Sequence, residues 1–178
     1  MSEANEDPAV RYVCRKCGGG PSDAGELQCG ECGGWYVVEE GLERNKHDHL
    51  LGTALEGKYP LLDILGEGGF GTVYLAKQLA EGKALRDVAI KTVRAGGNAS
   101  DREEATGRFR REAAAIARLN HPNIVQLYDF GVTEGGVFYM ALEMVAGRTL
   151  SEVFDGQELF TPERIARVFR QVLQGLAA

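Results

Sequence analysis

The chain has 178 residues and a formal net charge of −6, so it lacks the basic footprint that a general nucleic-acid binder needs. Its hydrophobic content of 44% suits a packed globular core, and no apolar run is long enough to span a bilayer. Residues 1–10 are acidic and polar, without the basic and apolar regions of a secretory signal; they are expected as a disordered tail, and the cytoplasm as the compartment.

Residues 11–38 hold all four cysteines, as Cys14-x-x-Cys17 and Cys29-x-x-Cys32. Zinc takes four soft thiolates in a tetrahedron, and a two-residue gap lets one tight turn present two of them. Gly18, Gly19, Gly30, Gly33 and Gly34 supply the permissive backbone such turns need. In a reducing compartment the pattern reads as a structural Zn2+ site; a redox dithiol and unrelated free thiols are the competing readings. Four cysteine ligands leave no open position for catalysis. So short a segment cannot fold on its apolar core alone, so the metal would supply most of its stability. Trp35 and Tyr36 either cover the metal or form a contact surface. Residues 39–57, with Glu39, Glu40, Glu43, Arg44, Lys46, His47 and Asp48, read as a polar linker.

From residue 58 the pattern becomes globular. Strands are expected at Tyr59–Leu65, Thr72–Gln78, Val88–Arg94, Ile124–Val132 and Val137–Glu143, with a turn at Glu134-Gly135-Gly136 before the last. Phe109, Ala113, Ile116, Ala117 and Leu119 approximate a helical stripe within Asp101–Leu119. A short helix fits Leu150–Phe154, and a last helix begins with Thr161 as cap and Pro162 in its first turn. Five strands with a helix inserted after the third is an α+β pattern.

Gly66-Glu67-Gly68-Gly69-Phe70-Gly71 matches G-x-G-x-x-G, a spacing also used by dinucleotide-binding folds. Those require a strand running into a helix, whereas Thr72-Val73-Tyr74-Leu75-Ala76 reads as a second strand, which disfavours a Rossmann-type oxidoreductase. Strand–turn–strand followed by Val88-Ala89-Ile90-Lys91 resembles the N-lobe of a protein kinase. A lysine inside an apolar strand is costly without anionic partners.

In the style of its approach to the glycine loop, the chain resembles bacterial eukaryotic-like serine/threonine kinases, preceded by a zinc-ribbon-like module. The resemblance implies a five-stranded antiparallel sheet plus one helix, then the first helices of the C-lobe, over residues 58–178. It implies that Lys91 holds the α- and β-phosphates of ATP and that Glu112 positions Lys91, while Glu103 and Glu104 are solvated. Gly66, Glu67, Gly68, Gly69, Phe70 and Gly71 would cover the phosphates. Leu65, Val73 and Ala89 would sandwich the adenine, Leu142 would be the gatekeeper, and Glu143 and Val145 would offer backbone groups to the base. His121, before Pro122, would be a turn residue. Protein substrates, ATP and Mg2+ are implied with it.

Asp129-Phe130-Gly131 spells the magnesium-binding D-F-G but lies between the fourth and fifth strands, ahead of the hinge, so it is not expected to bind metal; Asp129 is expected to end a strand and Gly131 to relieve the backbone. None of His47, His49 and His121 is followed by Arg-Asp, so the catalytic loop is missing. The chain is expected to be truncated before that loop and inactive alone, its Mg2+ ligands lying in the missing part. Ile165, Val168, Phe169, Val172, Leu173 and Leu176 form an apolar helical face without a partner. The alternative expectation is a non-catalytic nucleotide-binding and zinc-ribbon module that docks through this helix.

Overall fold

The computed structural model describes residues 10–23, 25–68, 71–94, 99–156 and 160–178; side chains at 94, 99–105, 108 and 112 are outside that description. In chain order the elements are β1 (Tyr12–Cys14), β2 (Tyr36–Val38), α1 (Glu39–Arg44), β3 (Ala54–Leu55), β4 (Tyr59–Gly68), β5 (Gly71–Ala80), β6 (Lys83–Arg94), α2 (Ala99–Ile116), β7 (Leu127–Val132), β8 (Val137–Glu143), α3 (Leu150–Asp155) and α4 (Pro162–Leu176). Strands β1 and β2 pair as a small antiparallel sheet. The others form one six-stranded sheet in the order β3-β4-β5-β6-β8-β7, antiparallel at each junction. The α+β architecture is the expected one, with the two-residue β3 added at an edge.

Several boundaries differ from the expected ones, and at the β5–β6 turn and the start of β7 the reasons are local. Strands β5 and β6 run on to a two-residue turn in which Glu81 (φ +52°) and Gly82 (φ +76°) are both left-handed, between paired Ala80 and Lys83. Two positive φ values match the right-handed twist of a hairpin, so pairing continues through polar residues that do not read as strand. Strand β7 starts at Leu127 rather than Ile124, because the Ile124 amide is turned back to the His121 carbonyl at 3.0 Å. The His121 ring accepts the Asn123 amide at 3.1 Å, a turn role.

The register sorts the sheet into two faces, since residues directly opposite share a side and residues two apart repeat it. Tyr74, Ile90 and Ala141 lie across from one another, and Ala76 faces Val88. With Leu55, Tyr59, Leu61 and Tyr139 they form the buried core. The second face carries Val73, Lys91 and Met140 in one row and Leu75, Ala89 and Leu142 in the next.

The stretch 39–57, expected as a polar linker, is folded onto the core face. Leu51 and Leu55 are buried, and Leu50 packs against the core. Its acidic residues meet buried phenols. Asp48 accepts the Tyr74 hydroxyl and Glu56 accepts the Tyr139 hydroxyl, each at 2.7 Å. A buried hydroxyl needs an acceptor, and a bond to a charged one contributes about 1.5–3 kcal/mol. Burial first, then the facing carboxylate, holds the protons of Tyr74 and Tyr139 well above the ordinary phenol range.

Helix α2 lies over the second face. The Phe109 ring centroid is 4.8 Å from that of Phe138 and 6.3 Å from that of Phe130, and Ala113, on the same helix, is buried. Helix α3 opens on a capping box between Thr149 and Glu152, and α4 opens on Thr161 with Pro162 in its first turn. The α4 apolar face stays exposed, with Phe169 and Leu173 at 63% and Leu176 at 79%; the Asn123 side chain ties the helix to the rest through the Gln171 carbonyl at 2.9 Å. Among the described residues no helix is long and apolar enough to cross a membrane.

Candidate functional site

Two constellations carry chemistry. The first is the second face of the large sheet. Val73 stands opposite Lys91, Leu75 opposite Ala89, and Ala89 opposite Leu142, so Val73, Ala89, Lys91 and Leu142 share one side across three adjacent strands. Gly66 pairs with Val73 after a register shift in β4, which brings Leu65 to the rim of this face, 46% exposed. Glu143 ends β8 and its amide donates to the Gln126 carbonyl at 2.8 Å, which leaves that N–H unavailable to an adenine edge. Val145 follows it and is 60% exposed.

The β4–β5 turn closes one end of the face. Gly68 pairs with Gly71; Gly69 and Phe70 lie outside the described residues. The glycines of this turn are not equivalent. Gly71 has φ +118°, and a Cβ there would overlap the Thr92 carbonyl of β6, so the fold requires glycine at this position. Among the described residues, nothing lies within 4 Å of where a Cβ at Gly66 or Gly68 would stand. Packing against the described residues therefore does not explain those two glycines. Helix α2 packs on the same face on its β8–β7 side, anchored by Phe109 against Phe138 and Phe130. Glu112 falls three residues further along this helix, and its side chain lies outside the described residues.

Asp129-Phe130-Gly131 sits within β7 rather than at its end, at a register shift. Asp129 Oδ2 accepts the Tyr59 hydroxyl at 2.8 Å, and its Oδ1 accepts the Phe130 amide at 2.9 Å. A Cβ at Gly131 would come within 2.6 Å of the Tyr139 hydroxyl oxygen and 2.7 Å of its ring. Gly131 thus makes room for a core tyrosine, which corrects the expectation of a backbone relief.

The second constellation is the cysteine cluster. The four Sγ atoms lie within 4.8 Å of one another, with Cys14 to Cys32 at 3.4 Å and Cys17 to Cys29 at 3.7 Å. These separations are too long for disulfides. They are close to the edge of about 3.8 Å that a tetrahedron with zinc–sulfur bonds of about 2.3 Å requires. The two knuckles repeat one bonding pattern. Cys14 N donates to Gly19 O and Gly18 N to Cys14 O, at 2.7 and 2.8 Å; Cys29 N donates to Gly34 O and Gly33 N to Cys29 O, at 2.7 and 2.9 Å. Gly18 and Gly33 occupy the same place in each and are both left-handed, at φ +79° and +68°.

Backbone amides of Cys32 and Glu31, in that order, lower the Cys29 thiol to about 6 against the opposing effect of burial. Burial raises Cys14, but the amides of Cys17 and Lys16 outweigh it and the net shift is downward. At Cys17 the Gly19 amide lowers the value, yet the three neighbouring thiols outweigh it and push it up to about 12. Two sulfurs are thus disposed to ionise and their neighbours resist, the conflict a dication in the centre would resolve. Tyr36 is buried beside Cys29 and its hydroxyl donates to the Gly20 carbonyl at 3.3 Å. The donor set, its spacing and its two knuckles all fit zinc.

Comparison with known proteins gives the context of both constellations. The family model described as protein kinase domain matches residues 59–178. The chain is 37% identical over 130 residues to the serine/threonine-protein kinase pkn3 of Myxococcus xanthus, covering 73% of this chain and 23% of that protein. It is 35% identical over 128 residues to the serine/threonine-protein kinase PrkC of Bacillus subtilis, covering 72% and 19%. It is 39% identical over 125 residues to the serine/threonine-protein kinase PknB of Mycobacterium tuberculosis, covering 68% and 19%. The chain thus spans about a fifth of the length of these curated relatives.

Proposed function

The chain belongs to the protein kinase family, and from that premise we propose that residues 58–178 are the ATP-binding part of a serine/threonine kinase, preceded by a structural zinc ribbon at residues 11–38. The observation that carries this reading is the single sheet face that gathers Val73, Ala89, Lys91 and Leu142 between the glycine turn and α2.

Each residue has a task there. Leu65, Val73 and Ala89 present apolar surface to the adenine, and Leu142 bounds the depth of that slot. Beyond it, Glu143 and Val145 offer backbone to the base edge. Lys91 neutralises the α- and β-phosphates, and Glu112 positions Lys91. The backbone of Gly66, Glu67, Gly68, Gly69, Phe70 and Gly71 covers the phosphates. Gly66 and Gly68 support this, because among the described residues nothing lies within 4 Å of where their Cβ atoms would stand. ATP supplies the transferable γ-phosphoryl group and Mg2+ its charge neutralisation. The sequence carries no H-R-D, and Asp129 is occupied by Tyr59, so the residues present bind and orient nucleotide rather than transfer phosphate. Transfer to protein Ser or Thr hydroxyls, in the cytoplasm, is proposed for a protein that also carries those groups.

Cys14, Cys17, Cys29 and Cys32 hold the zinc through four thiolates, which leaves the metal closed to substrate. Calorimetric titration of the zinc-loaded chain with MgATP tests the nucleotide reading. Saturable binding that competes with ADP is expected, and no binding at millimolar nucleotide overturns it.

A further inference from the structure

The ribbon is built into the kinase sheet rather than strung before it. Arg15, between two of the cysteines, donates from Nη1 to the Leu51 carbonyl at 2.7 Å. Its aliphatic part lies on the backbone of Gly52, where a Cβ would come within 2.7 Å of Arg15 Cδ and 3.2 Å of Val37 Cγ1. Val37 and Leu51 are both fully buried at this junction. The strap of residues 48–55, to which Leu51 and Gly52 belong, then grips both strands that flank the glycine turn. On β4, Gly52 N donates to Leu61 O and Leu61 N donates to Thr53 O, each at 2.9 Å. On β5, the Tyr74 hydroxyl is held by Asp48, whose other oxygen accepts the amides of Leu50 and Leu51 at 2.9 and 2.7 Å. A third link joins α1 to β4, with Arg44 3.7 Å from Asp63 and Gly41 packed against the Asp63 carboxylate.

The ribbon has little else to hold its shape. Its buried cluster is Cys14, Cys29 and Tyr36, with Tyr12 and Cys32 packed against it, so most of that core consists of the metal ligands themselves. Without a cation the knuckles lose the interaction that fixes them. Arg15 and Val37 then lose their fixed positions, and Leu51 loses its cover.

We propose that metal occupancy of the four-cysteine site sets the rigidity of the β4–β5 hairpin, through Arg15 and the strap of residues 48–55. The metal acts on the glycine turn as a distant structural effector. The consequence for ATP rests on the nucleotide reading above; the mechanical coupling does not.

Hydrogen–deuterium exchange on the whole chain, zinc-loaded and after chelation, tests the coupling. Zinc removal is expected to speed exchange in residues 48–55 and in Leu61–Gly68 by about tenfold or more, with α4 unchanged. Faster exchange confined to residues 11–38 overturns the proposal. Arg15→Ala in the zinc-loaded protein separates coupling from unfolding. It is expected to keep its zinc and still show faster exchange in Leu61–Gly68; wild-type exchange there overturns the proposal. A fluorescent ATP analogue is expected to bind several-fold more weakly to both altered forms. Failure of the analogue to bind the loaded wild type would sink the nucleotide reading, while the exchange data still decide the coupling.

Discussion

The hydroxyl of Tyr59 donates to Asp129 Oδ2 at 2.8 Å, joining the first residue of β4 to a carboxylate seventy residues further on. Asp129 stands in a D-F-G triplet, yet its two oxygens are taken by a core phenol and by the Phe130 amide. The contact explains why an acidic side chain is kept in the middle of β7. Tyr59→Phe should lower the unfolding free energy by about 1–3 kcal/mol in urea titration, because it leaves the carboxylate without its partner. Asp129→Asn should leave MgATP affinity unchanged, and a loss of magnesium-dependent affinity in that variant would contradict the structural role.

The three buried phenols of the large sheet make a prediction at alkaline pH. Burial is the largest cause at Tyr59, Tyr74 and Tyr139, followed by the hydrogen bond to Asp129, Asp48 and Glu56 respectively, and all three are shifted upward. The folded state therefore keeps protons that the unfolded chain releases above about pH 10. Stability from this source is fully present below that pH and is lost as pH rises towards the folded values. Melting temperature should fall steeply above about pH 10, with a shallower fall in Tyr74→Phe measured relative to its own value at neutral pH.

Glycines in the β4–β5 turn should divide into two classes. Gly71→Ala forces a Cβ into the Thr92 carbonyl at a left-handed backbone position, so it should destabilise the chain by about 2 kcal/mol or more. Gly66→Ala meets nothing within 4 Å among the described residues and should melt within a few degrees of wild type while weakening nucleotide binding. Thermal melts paired with analogue titration read both. Equal destabilisation by the two substitutions would remove the basis for assigning Gly66 to ligand approach.

Lys91→Met keeps most of the apolar stem of the side chain and removes its ammonium group, the charge and its three N–H donors together. Lys91 is partly buried in the central strand, opposite Val73 and Met140. The variant should fold and retain zinc, while its affinity for MgATP falls by about tenfold or more, as expected for loss of a phosphate contact of about 1.4 kcal/mol. Adenosine, which has no phosphates, should bind both forms alike. An unchanged MgATP affinity would take Lys91 out of the site.

Much of the sheet face proposed for nucleotide is legible in the sequence because its signals are local. The glycine run, Val88-Ala89-Ile90-Lys91 and the β-branched and aromatic run in Val137–Glu143 each occupy a few consecutive residues, and strand periodicity fixes which side chains share a face. The cysteine knuckles are legible for the same reason. Stretch 39–57 is not. Leu50, Leu51 and Leu55 stand among charged residues without a helical or strand period, and Asp48 and Glu56 look solvated. Their acceptors' role depends on tyrosines 26 and 83 residues away, information no local pattern holds. Gly131 is similar: its reason is the ring of Tyr139 across a hairpin, not its own backbone.

The strand order β5-β6-β8-β7 also has a consequence for biosynthesis. Strand β6 is central, but its second neighbour, β8, is encoded beyond α2 and β7. On a translating ribosome the β4–β6 meander emerges first, and the Val88–Arg94 edge has no pairing partner until Val137–Glu143 follows. At ordinary elongation speeds this interval lasts roughly 2 to 10 s. For that time the nascent chain displays an open strand edge along Val88–Arg94, the stage at which self-association is most to be feared.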